Sequence, residues 1–156
     1  MRRALLEPLA YAVSLLVLAG LLAVEGRRRV ELERRVPVEP KELYRLLAKT
    51  QSSWQLLDVR PDLAEGYDDA HVPGALPLPG CDPAAAPEAA RDRILGGVPT
   101  VVISAEGDEP GLQDCLARFA SARRLAGGMS AWSAANLPED SGEYAPPSAK
   151  AGGGCL

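Results

Sequence analysis

The stretch TVVISAEGDEPG, residues Thr100–Gly111, contains the pattern that decides the fold. Its β-branched run Val101–Ile103 is typical of a buried strand, and a six-residue loop then leads to Pro110 and Gly111. The next segment, LQDCLARFA, has helical spacing. A strand–loop–helix unit of this kind usually directs backbone N–H groups and the positive end of a helix dipole toward an anion. This loop instead carries three carboxylates, those of Glu106, Asp108 and Glu109.

Strands and helices alternate on both sides of this unit. Apolar runs predict strands at WQLLDV (Trp54–Val59), around Ala75–Leu78 and at Arg124–Leu125. Helical patterns occur in KELYRLLAK, DLAEGYDDA, PAAAPEAARDRIL and GGMSAWSAAN. Strands that are apolar throughout and alternate with helices indicate a parallel sheet covered on both faces. We therefore predict one α/β domain over residues 36–138.

The start of the chain predicts a membrane anchor. About 17 residues from Pro8 to Val24 carry no charge, and a helix of that length spans about 26 Å. We place a transmembrane helix at residues 5–24 and a charged connector at residues 25–35. Arginines are more numerous after the segment than before it, which favours a single-pass bacterial inner-membrane protein with a cytoplasmic domain. The alternative is a cleaved signal peptide and a periplasmic or secreted domain.

Composition narrows the classes of function. The 156 residues carry a net charge of −4 with a pI near 5.1, which gives no support for nucleic-acid binding. Three cysteines are too few for a disulfide framework, and no Cys or His spacing predicts a metal site. No cofactor is expected. We interpret Cys81 as a semi-buried free thiol and Cys115 as a core residue of its helix.

Three segments form a series along the chain. They are LLDVR (Leu56–Arg60), Tyr67 followed by AHVPGALPLP (Ala70–Pro79), and LAGGMSAWSAANLP (Leu125–Pro138). In that order they resemble the LIDVR, Y-x-x-GHIPGAINIP and LxGGxxAWxxAGLP motifs of the rhodanese-like (sulfurtransferase) domain family. The resemblance covers the predicted folded region and implies the α/β fold of that family.

The same resemblance implies a loop C-x-x-G-x-R after the central strand, whose cysteine takes up sulfane sulfur as a persulfide. Alignment on the strand and Gly107 puts Ser104 at the cysteine position and Glu109 at the arginine position. A serine hydroxyl is a much weaker nucleophile than a thiolate, and the sequence spacing shows no base to activate it. The loop carboxylates would stabilise the following helix and repel anionic substrates. We predict a non-catalytic loop that docks a basic protein partner through Glu106, Asp108 and Glu109.

Other residues of the domain are assigned supporting roles. Asp58 and Arg60 are expected to form an ion pair or to brace the neighbouring loop, and they join the predicted docking site. His71, the single histidine, is expected to hold its turn through a hydrogen bond. Trp54 and Trp132 are expected in the core.

The end of the chain, residues 139–156, predicts a flexible arm because it is rich in Gly, Pro and Ser and lacks apolar periodicity. Its penultimate residue is Cys155, which follows three glycines. A thiol in this position resembles the mobile persulfide arms of small sulfur-carrier proteins. An alternative function is therefore a sulfur relay through Cys155, with a sulfane-sulfur donor or acceptor protein as partner. An incidental cysteine in a disordered tail is the other interpretation.

Overall fold

The structure, a computed structural model, describes residues 11, 13–26, 36–49 and 54–146. The chain divides into two compact units, Met1–Val36 and Pro37–Leu156. In the first unit, residues 13–26 are helical. Among the described residues, no helix combines the length and apolar character needed to cross a membrane. The rest of the predicted transmembrane segment and residues 27–35 of the connector lie outside the described residues.

The second unit is built on a parallel sheet, as predicted. Its four strands lie in the order β2-β1-β3-β4. Their bounds are β1 Gln55–Asp58, β2 Leu76–Pro77, β3 Pro99–Ile103 and β4 Ser121–Arg124. An isolated parallel bridge between Val38 and Leu125 extends the sheet beyond β4. The last strand begins at Ser121 and not at the predicted Arg124. The polar sequence SARR did not indicate a strand, since only Ala122 of this edge strand is fully buried.

Four α-helices and two shorter turns complete the domain. The helices are α1 Pro40–Leu47, α2 Glu88–Arg91, α3 Leu112–Ala117 and α4 Gly128–Ala134, and the turns are a π-helical turn Leu63–Tyr67 and a 3₁₀ turn Pro79–Cys81. The helix expected across PAAAPEAARDRIL is reduced to the single turn α2. Pro87 explains why the helix does not include the residues ahead of it, because a proline disfavours helical backbone in the residue before it.

The core lies on both faces of the sheet. Neighbouring residues of β1 separate between the faces, with Leu56 in one buried cluster and Leu57 in the other. The first cluster includes Trp132 of α4, which is completely buried as predicted. The second includes Cys115 of α3. Trp54 differs from the prediction, since it is only half-buried at the margin of the first cluster.

Residues 139–146 pack on the domain, whereas the sequence predicted a flexible arm from residue 139. The backbones of His71 and Asp140 exchange two hydrogen bonds, of 2.8 and 2.9 Å. The Gly142 N–H donates to the Asp68 carbonyl at 2.7 Å, and Tyr144 packs against the first core cluster. Main-chain pairing of this kind is independent of side-chain periodicity, which explains why composition did not reveal it. Residues 147–156, with Cys155, lie outside the described residues.

Candidate functional site

The loop of residues 104–111 leaves the carboxyl end of the central strand β3. Ligand sites of open parallel sheets lie at this edge. Two glycines give the loop its shape, because Gly107 and Gly111 have φ values of +84° and +87°. At Gly107 a Cβ atom would lie 2.8 Å from the Leu125 carbonyl oxygen, so no larger residue fits. Local sequence thus forces a tight loop that packs directly on the chain after β4.

The Glu109 carboxylate accepts hydrogen bonds from other residues of the same loop. Its Oε1 accepts the Glu106 N–H at 2.5 Å, and its Oε2 accepts the Ser104 hydroxyl at 2.5 Å. The Gly107 N–H in turn donates to Ser104 Oγ at 3.1 Å. Burial raises the pKa of Glu109, but hydrogen bonds from Ser104 and from the backbone of Glu106, Glu109 and Ala105 outweigh it and hold that pKa below its usual value. The N–H groups of the loop are therefore directed at the chain's own carboxylate.

Ser104 and Glu109 have the spacing of a nucleophile and its base, which the sequence did not show. Their chemistry does not suit that role. A carboxylate with a lowered pKa is a poor proton acceptor at neutral pH. Ser104 is buried, and the Glu106 N–H that could stabilise an oxyanion is already bonded to Glu109. The Ser104 hydroxyl and the Glu106 N–H are thus both paired with the Glu109 carboxylate.

The carbonyl groups of the loop face the start of α4. The Met129 N–H donates to the Ser104 carbonyl at 2.8 Å, and the Ser130 N–H donates to the Ala105 carbonyl at 3.1 Å. Gly128 approaches so closely that a Cβ atom would lie 2.4 Å from each of these two carbonyl oxygens. Helix α4 thus holds the loop in the orientation that points its N–H groups at Glu109.

The other two loop carboxylates differ in their surroundings. Glu106 Oε1 accepts the Ser130 hydroxyl at 2.5 Å, and the Arg124 guanidinium donates to the Gly107 carbonyl. Asp108 is exposed and has no hydrogen bond to another described residue. Sequence reasoning missed Ser130 and Arg124 because they join the loop from 24 and 17 residues away. The only sequence signal was that Arg124 and Ser130 flank the LAGGM motif, which the fold places beside the loop.

The predicted ion pair of Asp58 and Arg60 is present. Arg60 Nη2 lies 2.6 Å from Asp58 Oδ2, and the side chains are 12% and 1% exposed. The same guanidinium donates to the Ala70 carbonyl at 2.6 Å. The pair therefore braces the segment that follows β1, and it offers little surface to a partner.

His71 precedes β2 in the chain and pairs through its backbone with Asp140. Its Nδ1 is 2.7 Å from the Tyr67 carbonyl oxygen, so this nitrogen carries a proton and donates. The His71 ring stacks on the Tyr67 ring with centroids 3.8 Å apart. These contacts confirm that His71 holds its turn. In the described part of the chain, no group of His, Cys, Asp or Glu side chains is arranged to hold a metal ion.

Cys81 and Cys115 form a disulfide, which corrects the prediction of a free thiol at Cys81. The 3₁₀ turn after β2 and the buried face of α3 bring the two Cα atoms to 5.7 Å, within the range that a disulfide requires. Both residues are buried. Their separation of 34 residues conceals the pairing in the sequence, because it depends on how α3 packs against the sheet.

The protein is therefore a parallel α/β domain that carries a strand–loop–helix unit at the carboxyl ends of its strands. The model of the family described as rhodanese-like domain matches residues 39–135. This match covers more than half of the chain, and the chain belongs to the rhodanese-like domain family. No curated protein sequence matches it.

Solved structures show the same fold. The BH2092 protein of Bacillus halodurans is 22% identical with a TM-score of 0.55, and the match covers 76% of this chain and 86% of that one. The Alr3790 protein of Anabaena sp. is 26% identical with a TM-score of 0.51, covering 67% and 80%. A thiosulfate sulfurtransferase of Pseudomonas aeruginosa is 22% identical with a TM-score of 0.51, covering 69% of this chain and 19% of that one. The fold is thus related to that of sulfurtransferases.

Proposed function

We propose that this chain is a rhodanese-fold binding module that does not transfer sulfur through its loop of residues 104–111. One observation carries the proposal: the Glu109 carboxylate is bonded to the Ser104 hydroxyl and to the Glu106 N–H. In the motif alignment, Ser104 replaces the family's cysteine and Glu109 its arginine. The loop therefore lacks a thiol, and an external anion would have to displace a carboxylate tethered only five residues from Ser104.

The module is proposed to dock a basic protein partner at a membrane surface. Glu106 and Asp108 are exposed on the loop, and Asp108 has no described hydrogen bond that would compete with a partner. Glu109 contributes negative charge there but is engaged inside the loop. The uncharged segment of residues 8–24 supports membrane attachment of the chain.

Persulfide mapping tests the absence of sulfur transfer. The full-length protein is incubated with thiosulfate and then mapped by mass spectrometry for the addition of one sulfur atom. We expect no adduct on residues 104–111. A double substitution, Ser104→Cys with Glu109→Arg, restores both motif positions and is expected to take up sulfur. The single variant Ser104→Cys should take up less, because Glu109 still occupies the loop. Wild-type sulfurtransferase activity that disappears in Ser104→Ala would refute the proposal.

A sulfur relay through Cys155 is a second candidate. The chain has three cysteines and two of them form the disulfide, so Cys155 is the cysteine outside that pair. The same mapping experiment decides this candidate. It requires a sulfur adduct on Cys155 that is absent from the Cys155→Ser variant. An unmodified Cys155 after incubation with donor would exclude the relay.

The disulfide also supports a location for the domain. Disulfides persist in oxidising compartments and are rare in the cytosol. We therefore favour the periplasmic or otherwise extracytoplasmic alternative over the cytoplasmic side. Cells quenched in acid and treated with a mass-tagged maleimide should yield protein with one labelled thiol per chain. Three labelled thiols would place the domain in a reducing compartment.

A further inference from the structure

A groove of about 820 Å³ lies at the amino ends of β1 and β2. It is at the opposite edge of the sheet from the loop of residues 104–111. One wall is formed by residues 139–145, the segment that pairs with His71 through Asp140. The loop of residues 104–111 contributes no residue to this groove, so the proposed function of the loop does not account for it.

The wall of residues 139–145 is acidic. Glu139, Asp140 and Glu143 all line the groove and are exposed, whereas Arg93 is the single Lys or Arg among the described residues that line it. Glu139 accepts a hydrogen bond from Ser133 at 2.6 Å. Among the described residues, neither Asp140 nor Glu143 has a side-chain ion pair. The excess of negative charge therefore favours a cationic occupant.

The rest of the lining is largely apolar. Trp54 is half-buried there, and Leu95 is 54% exposed. Leu76 and Val98 add further apolar surface beside them. Apolar surface next to carboxylates matches lysine and arginine side chains, which place their methylene stems on apolar groups and their charged ends in polar surroundings.

Tyr144 supplies an independent sign of a missing ligand. It lines the groove, and its hydroxyl is buried without a hydrogen-bond partner among the described residues. Buried polar groups are nearly always paired, so an unpaired hydroxyl calls for a partner outside the described residues. A peptide carbonyl group is a suitable acceptor for this O–H.

We propose that this groove binds a segment of a partner protein in which Lys or Arg side chains alternate with apolar ones. The carboxylates of Asp140 and Glu143 contact its cationic groups, and the Tyr144 hydroxyl donates to its backbone. The proposal shares the docking role proposed above but uses a different edge of the sheet, and it does not depend on whether the chain transfers sulfur.

Calorimetric titration of the full-length protein tests the proposal. The probe is a synthetic pentapeptide, acetylated and amidated, in which Lys and Arg alternate with Leu, and a peptide with Glu in place of both cations is its control. The variant Asp140→Asn/Glu143→Gln removes two groove charges without changing side-chain size. Glu42→Gln/Asp114→Asn makes the same charge change at exposed positions outside both the groove and the loop of residues 104–111, and it is the matched control.

We expect the groove variant to bind the cationic peptide roughly tenfold more weakly, as for the loss of two exposed ion pairs. The Glu42→Gln/Asp114→Asn variant should bind within about twofold of wild type, and the Glu-containing peptide should not bind. No binding of the cationic peptide, or equal losses in both variants, would overturn the proposal. Neither of these titration results changes the expected outcome of the sulfur mapping, so each proposal can be refuted without the other.

A second variant tests the hydroxyl contact. Tyr144→Phe retains the ring and removes only the O–H, so the fold is preserved. We expect binding about fivefold weaker, the effect of one lost neutral hydrogen bond. Unchanged affinity would refute donation from Tyr144 to the peptide.

Discussion

At the scale of single residues, Glu109 pairs with polar groups of its own loop. Its carboxylate accepts hydrogen bonds from the Ser104 hydroxyl and the Glu106 N–H, the donors that an anion bound in this loop would use. Hydrogen bonds to charged groups contribute about 1.5–3 kcal/mol each, roughly twice the neutral value. A single acidic side chain thus accepts hydrogen bonds from two donors of its own loop.

This contact makes the stability of the domain dependent on pH. The pKa of Glu109 is lowered in the folded state, so its carboxylate form stabilises the fold above the unfolded-state pKa of about 4.3. That contribution disappears as the pH falls through the lower folded-state pKa. We expect wild type to exceed Glu109→Gln in free energy of unfolding at neutral pH, and the difference to shrink as the pH falls through the lowered folded-state pKa of Glu109.

Urea denaturation of both proteins across this pH range measures the effect. Asp108→Asn, which removes an exposed loop carboxylate with no described hydrogen bond, controls for the general effect of losing one charge. A difference between wild type and Glu109→Gln that stays constant with pH would contradict the role assigned to the Glu109 carboxylate.

The sequence identified the loop residues but not their contacts. Motif alignment assigned Ser104 and Glu109 to one loop, and in the structure both lie in the loop after β3 and contact each other. The direction of the Glu109 side chain depends on the φ value of Gly107 and on contacts from α4, more than 15 residues away. Such contacts are set by packing in three dimensions, so local spacing could not reveal them.

At the scale of elements, the junction between the loop and α4 orients the site. The first N–H groups of a helix have no partner inside it, and here Met129 and Ser130 donate theirs to the loop carbonyls. The close contact requires Gly128, whose φ value of +56° and lack of a side chain allow the approach. The loop and the start of α4 therefore form one structural unit.

Substitution of Gly128 should be far more costly than substitution of a glycine in open space. Gly128→Ala combines a left-handed backbone with Cβ contacts of 2.4 Å to two carbonyl oxygens. We expect a loss of about 3–4 kcal/mol in the free energy of unfolding. Gly74→Ala is the matched control, because φ is +79° there but nothing lies within 4 Å of the new Cβ. Its cost should be about 1–2 kcal/mol, from backbone strain alone. Equal losses in chemical denaturation would contradict the steric explanation.

Secondary structure was predictable where hydrophobic pattern and burial agree. The apolar runs around Leu57 and Val102 became the central strands β1 and β3, and both residues are completely buried. The pattern was less informative at the edge, where β4 exposes Ser121. It was also misleading around Pro87, since alanine-rich composition predicts a helix that the proline shortens. Local backbone constraints therefore decided the boundaries that periodicity missed.

At the scale of the whole molecule, main-chain pairing and a covalent link hold distant parts of the domain together. The segment of residues 139–146 pairs with His71 at one edge of the sheet. The disulfide joins the turn after β2 to α3 within the second core cluster. Neither link follows from a local sequence pattern, so the sequence predicted neither of them.

Truncation measures the contribution of residues 139–146. A chain that ends after Pro138 loses the two backbone hydrogen bonds with His71 and the packing of Tyr144. We expect its free energy of unfolding to fall by about 2–4 kcal/mol. A chain that ends after Pro146 retains these contacts and should match the full-length protein within about 0.5 kcal/mol. Equal stability of both truncated chains in urea denaturation would show that the segment does not stabilise the domain.

The disulfide should contribute more than any single polar contact. Closing a loop between residues separated by 34 positions restricts the unfolded chain by about 3–4 kcal/mol. The variant Cys81→Ala/Cys115→Ala should lose about this much in the free energy of unfolding, and a reductant should lower the stability of wild type by a similar amount. Alanine is preferred to serine, because both positions are buried and a hydroxyl would lack a partner. Cys155→Ser is the control, and it should leave both the stability and the reductant effect unchanged. A wild-type protein that reductant does not destabilise would show that the cysteine pair does not hold the fold together.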